Sequence, residues 1–410
     1  MPGFIPDSDS EDELPPGWEE KAATDGHVFY VNHKLKSTQW THPRTGKMKR
    51  VSGELPIGWE RRTEEGSDQI LFYNKTTNQS TYTDPRLAFA VEEQTQNVRD
   101  VRQRFDASST ALQVLHGKDL SGKLAVITGA NAGIGLETAK SLAFHGCEVI
   151  LACRNEQSAL EGIKMITKEK QLAGRKCSFM KLDLASLEAT KRFTDELKTK
   201  VRHIDYLILN AAVMGLPHTL TVDGLEITFQ VCHLSHFYLT LELESLLDHN
   251  SRVVIVSSES HRFANLPVDH LTEPKLSPPA RSFWSMMAYN NAKLCNVLFA
   301  RQLAKNWQQR GISVFALHPG NMISTSLSRN YWIYRLLFAV VRPFTKSLQQ
   351  GASTTVYCAT ADELKGLTGL YFNNCFFCEP SKLAQNDAMA ESLWKISEEM
   401  IASRLNRKAM

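Results

Sequence analysis

The chain has 410 residues, too many for one ordinary domain, so two or three are expected. A hydrophobic share of 42% beside 22% charged residues is that of a globular protein with ample material for a core. A net charge of +3 gives no reason to expect a nucleic-acid partner, and the eight cysteines, mostly scattered in apolar runs as at Cys153 and Cys295, suit buried thiols rather than a disulfide framework.

The opening stretch, residues 1–12, is acidic and expected to be disordered; Asp7-Ser-Asp-Ser-Glu-Asp-Glu13 lacks the basic and apolar regions of a signal peptide. A cytoplasmic protein is therefore expected, with shuttling to the nucleus as an option raised below.

An internal repeat follows. Leu14-Pro15-Pro16-Gly17-Trp18-Glu19 returns as Leu55-Pro56-Ile57-Gly58-Trp59-Glu60, and each copy runs through two strand-like stretches to a proline, at Trp40-Thr-His-Pro43 and Tyr82-Thr-Asp-Pro85. Both copies, at 13–46 and 54–87, resemble the WW domain, a small three-stranded antiparallel sheet that binds proline-rich peptides in the polyproline II conformation. The resemblance implies that Trp18 and Pro43 pack on one face. It places Phe29, Val31, His33, Thr38 and Trp40 on the other as the peptide-binding residues, with Phe29 and Trp40 forming a slot for a proline ring. Val31 and His33 would shape a pocket for a tyrosine, so Pro-Pro-x-Tyr proteins are the expected partners. The second copy has Leu71, Lys75 and Tyr82 where the first has Phe29, His33 and Trp40. A poorer slot and a charge in the tyrosine pocket predict weak or no peptide binding of its own.

Between the copies, 47–53 is a basic linker. Its Lys47-Met-Lys-Arg50 reads either as a nuclear import signal or, more commonly for four residues, as a solvated connection. Residues 88–117 are polar, with little periodicity, and read as a linker and arm.

From 118 to 400 strands and helices alternate. Strand-like runs fall at 123–130, 148–154, 178–183, 204–211, 252–258 and 313–319, with a short one near 369–372; helical periodicity falls at 155–171, 187–198, 225–247 and 289–309. Such alternation predicts an α/β doubly wound parallel sheet of the Rossmann type, with ligands at the carboxyl ends of the strands. Residues 330–344 would be an insertion over that edge, and the apolar run Tyr331–Val341, interrupted by Arg335, is too short to be a transmembrane segment. No transmembrane segment is expected.

The first strand-like run ends in Gly129-Ala130-Asn131-Ala132-Gly133-Ile134-Gly135. A strand, a glycine turn and a helix let backbone approach a pyrophosphate and aim free amides and the positive helix end at it. This wide glycine spacing resembles the short-chain dehydrogenase/reductase family. Further residues fall at that family's positions in order: Asp183, Asn210-Ala-Ala212, Ser257-Ser258, Tyr289-x-x-x-Lys293 and His318-Pro319-Gly320. Two WW domains followed by such a domain are the organisation expected for the whole chain.

The resemblance implies that Tyr289, Lys293 and Ser258 are catalytic. A free tyrosine, with a pKa of about 10, holds its proton too tightly to be a base at neutral pH; Lys293, one helical turn on, is expected to lower it. Lys293 would also bond the nicotinamide ribose, Ser258 the substrate oxygen, and Asp183 the adenine, while Asn210 and Pro319 line the cofactor cleft. Where NAD users carry an acid, this chain has Cys153 followed by Arg154, a partner for a 2′-phosphate, so NADP(H) is the expected cofactor. Cys232 stands where the family has an asparagine that helps hold a proton-relaying water, which predicts slow turnover. Cys375 and Cys378 lack the further ligands of a zinc site; no metal is expected, and the pair reads as a packed loop. The expected activity is reduction or oxidation of a small hydrophobic ketone or alcohol, steroid- or retinoid-like. The alternative is mainly an adaptor: the first repeat recruits proteins and the large domain binds cofactor with little turnover.

Overall fold

Period-two alternation on Val28-Phe-Tyr-Val-Asn32 sends Val28, Tyr30 and Asn32 inward and leaves Phe29 and Val31 half-buried on the other side. In the computed structural model this run is the middle strand of a three-stranded antiparallel sheet, β1 (Trp18–Ala22), β2 (Val28–Asn32) and β3 (Ser37–Gln39). The structure describes residues 13–51, 55–56, 58–63, 70–93, 101, 103–168, 176–320 and 346–408. The acidic start and the apolar run Tyr331–Val341 with its surrounding insertion lie outside the described residues.

The chain divides into two units, Met1–Arg104 and Phe105–Met410. In the first, a short strand β4 (Met48–Arg50) follows the first sheet. The second repeat then gives β5 (Trp59–Thr63), β6 (Ile70–Asn74) and β7 (Gln79–Thr81), again three antiparallel strands. The two repeats share their turn chemistry. Asn32 Oδ1 accepts the amides of Lys34 and Leu35, and Asn74 Oδ1 those of Thr76 and Thr77. Lys36 and Asn78 both take positive φ at the same place in the second turn.

The expected linkers are partly ordered. β4 pairs antiparallel with β8 (Val91–Glu93), which follows a 3-10 turn over Pro85–Phe89. Leu87 and Ala90 from this segment pack, with Leu14, Trp18 and Ala22, against the buried cluster of Val28, Tyr30 and Val51. So small a sheet cannot bury its inner face alone, and chain from beyond the second repeat completes the cover. Trp18 is thus on the packed side.

In the second unit, an arm precedes the sheet: Thr110 and Gln113 form a capping box on a short helix α1 (Ala111–Val114), and Gln350 donates to the Ser108 carbonyl. Eight strands then form one sheet: β9 (Leu124–Thr128), β10 (Glu148–Cys153), β11 (Cys177–Lys181), β12 (Tyr206–Leu209), β13 (Arg252–Val256), β14 (Ser313–His318), β15 (Leu370–Asn373) and β16 (Phe376–Phe377). Their order is β11-β10-β9-β12-β13-β14-β15-β16, parallel throughout except for β16. The doubly wound sheet expected from the alternation is the one observed. The winding reverses between β9 and β12, so a crevice opens at their carboxyl ends.

Helices α2 (Gly133–Phe144), α3 (Glu156–Thr167) and α4 (Leu187–Lys200) cross between the early strands. The helix expected at 225–247 is broken. Ile227–Phe229 leads into a π-helical turn, Gln230–Leu234, and then Ser235–Glu242. The long α5 (Ser285–Asn306), α6 (Leu348–Thr360) and α7 (Asp387–Lys408) complete the layers. Phe237 and Phe299 pack with tilted rings at 5.2 Å, and Trp394 of α7 meets Phe237 edge-on at 4.8 Å, closing the core on that side of the sheet. Cys375 is buried and occupies, with Asn374, the two-residue turn between β15 and β16, both at positive φ.

Candidate active site

The glycine turn is tight because side chains have no room there. A Cβ on Gly135 would come within 2.5 Å of Asn210 Nδ2 and 2.6 Å of the Gly129 carbonyl, and Gly129 has φ +66° against Ala211. Ala130 is buried beneath the turn, Ala132 is the N-cap of α2, and Asn131 donates from its side chain to Ser158 Oγ at 3.0 Å. No side chain caps α2, so the first-turn amides around Gly133, Ile134 and Gly135 keep their donors for an anion.

Asn210 joins this turn to the next strand: its Nδ2 donates to the Thr128 carbonyl at 2.9 Å, and its amide to Thr128 Oγ1 at 2.9 Å. The Ala211 amide donates to the same oxygen at 2.9 Å. The Thr128 hydroxyl then has one direction left in which to donate, towards His236 Nε2 at 2.9 Å, whose Nδ1–H donates to the Cys232 carbonyl at 3.2 Å. One neutral histidine therefore ties the π-helical turn to the glycine turn; burial pushes its pKa down to about 4. Sequence reasoning missed Thr128 and His236. The available signal was a polar residue closing an otherwise apolar strand just before the first glycine.

Arg154 follows the end of β10 and is exposed, with no hydrogen bond or ion pair to the described residues. Asp183 sits half-buried after β11, its carboxylate accepting the Ala185 amide at 3.0 Å, and Pro319 follows β14. All lie at the same end of the parallel sheet as the glycine turn.

Beside this crevice α5 presents Tyr289 and Lys293, both buried, one turn apart, with the ammonium 5.5 Å from the centre of the phenol ring. Ser258, just after β13, lies by the Tyr289 side chain and acts to lower its pKa, so the three expected catalytic residues meet. Ser257, on the other side of the strand, donates its hydroxyl to the Lys293 carbonyl at 2.7 Å and fixes the helix. Lys293 Nζ donates to the Val256 carbonyl at 2.8 Å.

The electrostatics differ from the expectation. Burial pushes the Tyr289 phenol well above its ordinary range; the buried Cys232 adds to the rise and the Ser258 hydrogen bond opposes it. Lys293 does not offset this, because the same burial holds its own ammonium below the usual range. Tyr289 in this arrangement is a protonated group held dry beside Ser258, suited to giving a proton to an oxygen that gains charge. Among the described residues the buried Lys293 ammonium donates only to a neutral carbonyl, and a hydroxyl-bearing ligand would give it a better partner.

Cys232, expected to impair a proton relay, is bonded to backbone. Its Sγ accepts the Val213 amide and donates to the Val213 carbonyl, both at 3.4 Å, pinning the chain after β12 to the π-helical turn.

The peptide-binding residues expected on the first repeat also come together. Phe29 and Trp40 meet edge-on at 5.8 Å, with His27 on Trp40 at 6.2 Å, and Trp40 is 52% exposed. Val31 and exposed Thr38 share a register pair, and His33 Nε2 lies 2.7 Å from Glu19 Oε2. The second repeat has a matching ion cluster, Lys75 and Arg62 on Glu60 where the first has His33 and Lys21 on Glu19, and Arg62 stacks 3.7 Å over Tyr73. Among the described residues no group of three His, Cys, Asp or Glu could hold a metal, and no helix is long and apolar enough to cross a membrane.

A doubly wound sheet with this Ser, Tyr and Lys set defines a short-chain dehydrogenase; the family model described as short chain dehydrogenase matches residues 123–267, and the WW domain model matches residues 14–43. The chain belongs to the WW domain-containing oxidoreductases. It is 66% identical to the WW domain-containing oxidoreductase of Drosophila melanogaster over 98% of this chain and 99% of that one, and 49% identical to that of Homo sapiens over 99% and 98%. Human retinol dehydrogenase 12 is 40% identical over 70% of this chain and 88% of its own. Among solved structures, an uncharacterised protein from Mycobacterium paratuberculosis aligns with a TM-score of 0.57 and 28% identity, over 70% of this chain and 97% of that one.

Proposed function

We propose that the chain is an NADP(H)-dependent oxidoreductase acting on a hydrophobic ketone or alcohol, brought to Pro-Pro-x-Tyr proteins by its first WW domain. The observation that carries the reading is the meeting of Ser258, Tyr289 and Lys293 beside a glycine turn that no side chain can enter. NADP(H), when bound, supplies or accepts the hydride. Ser258 orients the substrate oxygen, and Tyr289 gives that oxygen its proton as the carbonyl is reduced. Lys293 would hold the ribose hydroxyls, better partners for its ammonium than the Val256 carbonyl. Gly129 to Gly135, with Asn210 behind them, cradle the pyrophosphate, while Asp183 and Pro319 border the cleft. The apolar substrate class follows from the likeness to retinol dehydrogenase 12. Exposed Arg154 is free to take the 2′-phosphate.

Fluorescence titration of NADPH and NADH against the chain and its Arg154→Ala variant tests the cofactor assignment. The expected result is tighter binding of NADPH, weakened about tenfold or more by the substitution with NADH unaffected. Equal affinities, or no effect of the substitution, would remove it.

An adaptor role alone is the second reading, favoured by the competent Phe29–Trp40 slot. It does not account for a buried lysine and tyrosine meeting at a cofactor crevice.

A further inference from the structure

The turn that carries Ser258 is gripped from outside the site by a histidine. Ser258 is the N-cap of a 3-10 turn, Glu259–Phe263, and its hydroxyl accepts the Ser260 amide at 3.2 Å. His261, in that turn, is fully buried and uses both ring nitrogens. Nδ1 bonds the Ser258 carbonyl at 2.8 Å, and Nε2 receives the Ser381 amide at 3.0 Å. A carbonyl only accepts and an amide only donates, so the ring is neutral with its proton on Nδ1. Arg262 ties the same two segments together by donating to the Glu379 carbonyl at 2.7 Å, while pairing with Glu259 in its own turn. Glu259 in turn accepts the Tyr371 hydroxyl at 3.4 Å.

We propose that His261 is a positioning residue for the reaction: its neutral ring fixes the Ser258 peptide against the segment at Ser381 and so holds the Ser258 hydroxyl where it meets the substrate oxygen. This rests on the role given to Ser258 above. Adding a proton to the ring sets Nε2–H against the Ser381 N–H and breaks the link, so turnover falls in acid. Burial holds His261 below its ordinary range; the Ser258 carbonyl opposes that shift, Arg262 reinforces it and Glu259 opposes it. The other titratable or charged groups on the elements packed around it are Tyr371, whose ring is 5.1 Å away, Cys378 and Glu379 after β16, and Tyr289 and Lys293 on α5. Tyr289 is held above its ordinary range, so it does not produce an acid limb.

The test is steady-state NADPH oxidation with an apolar ketone across pH, using the full chain and its His261→Ala, His261→Asn and Ser258→Ala variants, with NADPH affinity read by fluorescence. His261→Ala is expected to lower kcat about tenfold or more while NADPH affinity stays within about twofold. His261→Asn keeps a donor for the Ser258 carbonyl but has no imidazole to titrate; it is expected to recover most of kcat and to lose the acid limb. Unchanged kcat in His261→Ala, no recovery in His261→Asn, or an acid limb that survives in His261→Asn would overturn the proposal. Ser258→Ala separates the two claims. If it abolishes turnover while His261→Ala does not lower it, only the positioning role fails. If Ser258→Ala is as active as the unmodified chain, or the unmodified chain turns over no ketone, the reading of the site fails and this proposal with it.

Discussion

Two histidines buried beside the active site, His233 and His236, make the stability of the large unit depend on pH. Burial holds the first at about 3 and the second at about 4, against an ordinary value of 6.5. The unfolded chain therefore takes up these protons near pH 6.5 and the folded chain only well below it. Between those limits the unfolded state binds more protons, so stability rises with pH. The contribution is fully present above pH 6.5 and is lost as pH falls towards 4. Each pH unit in that window removes about 1.4 kcal/mol per histidine, or roughly 2 kcal/mol each between pH 7 and pH 5. Denaturant titrations at the two pH values should show this drop, and His236→Gln should reduce it; a midpoint that does not move between pH 7 and 5 would contradict the burial argument. At this scale the sequence was legible where a residue acts through its own chemistry, as with Tyr289, Lys293 and Ser258. It was silent on Thr128, His236 and His261, whose roles depend on which backbone groups the fold sets opposite them. Nor did it show that Cys232 pairs with the backbone of Val213.

Among the elements, the glycine turn and α2 form the unit on which cofactor binding depends. Gly135 has no space for a methyl group, because Asn210 Nδ2 and the Gly129 carbonyl already fill it. Gly135→Ala must push the Asn210 side chain from the Thr128 carbonyl or open the turn. NADPH affinity is expected to fall about tenfold or more, measured by fluorescence titration, with the far-UV spectrum retained. Binding equal to that of the unmodified chain would show that the turn does not hold the pyrophosphate. The parallel strands were readable because runs such as Arg252-Val-Val-Ile-Val256 are buried on both faces and, beyond Arg252, apolar. The π-helical turn at Gln230–Leu234 was not, since its residues keep helical spacing and only the hydrogen-bond pattern changes. Nor was the β4–β8 ribbon, whose three-residue strands are too short to show alternation.

In the whole molecule, the proposed recruitment belongs to the first unit and the proposed chemistry to the second. The first repeat has the aromatic slot of Phe29 and Trp40; the second has Leu71 and Tyr82 at those places, with Lys75 and Arg62 both paired to Glu60. Trp40→Ala should lower the affinity of a Pro-Pro-x-Tyr peptide about tenfold or more by calorimetry, whereas Tyr82→Ala should leave it within about twofold. Equal losses would assign binding to both repeats. Repeats and domain order could be read directly from the chain. The packing of Leu87 and Ala90 onto the first sheet could not, because it joins segments either side of the second repeat.

The central claim is that Tyr289 delivers the substrate proton at a cofactor-bound site. Ketone-dependent NADPH oxidation by the chain and by Tyr289→Phe, with NADPH affinity measured in parallel, tests it most directly. NADPH binding is expected to be unchanged in the variant and kcat to fall about a hundredfold or more. Turnover by Tyr289→Phe equal to that of the unmodified chain would contradict it.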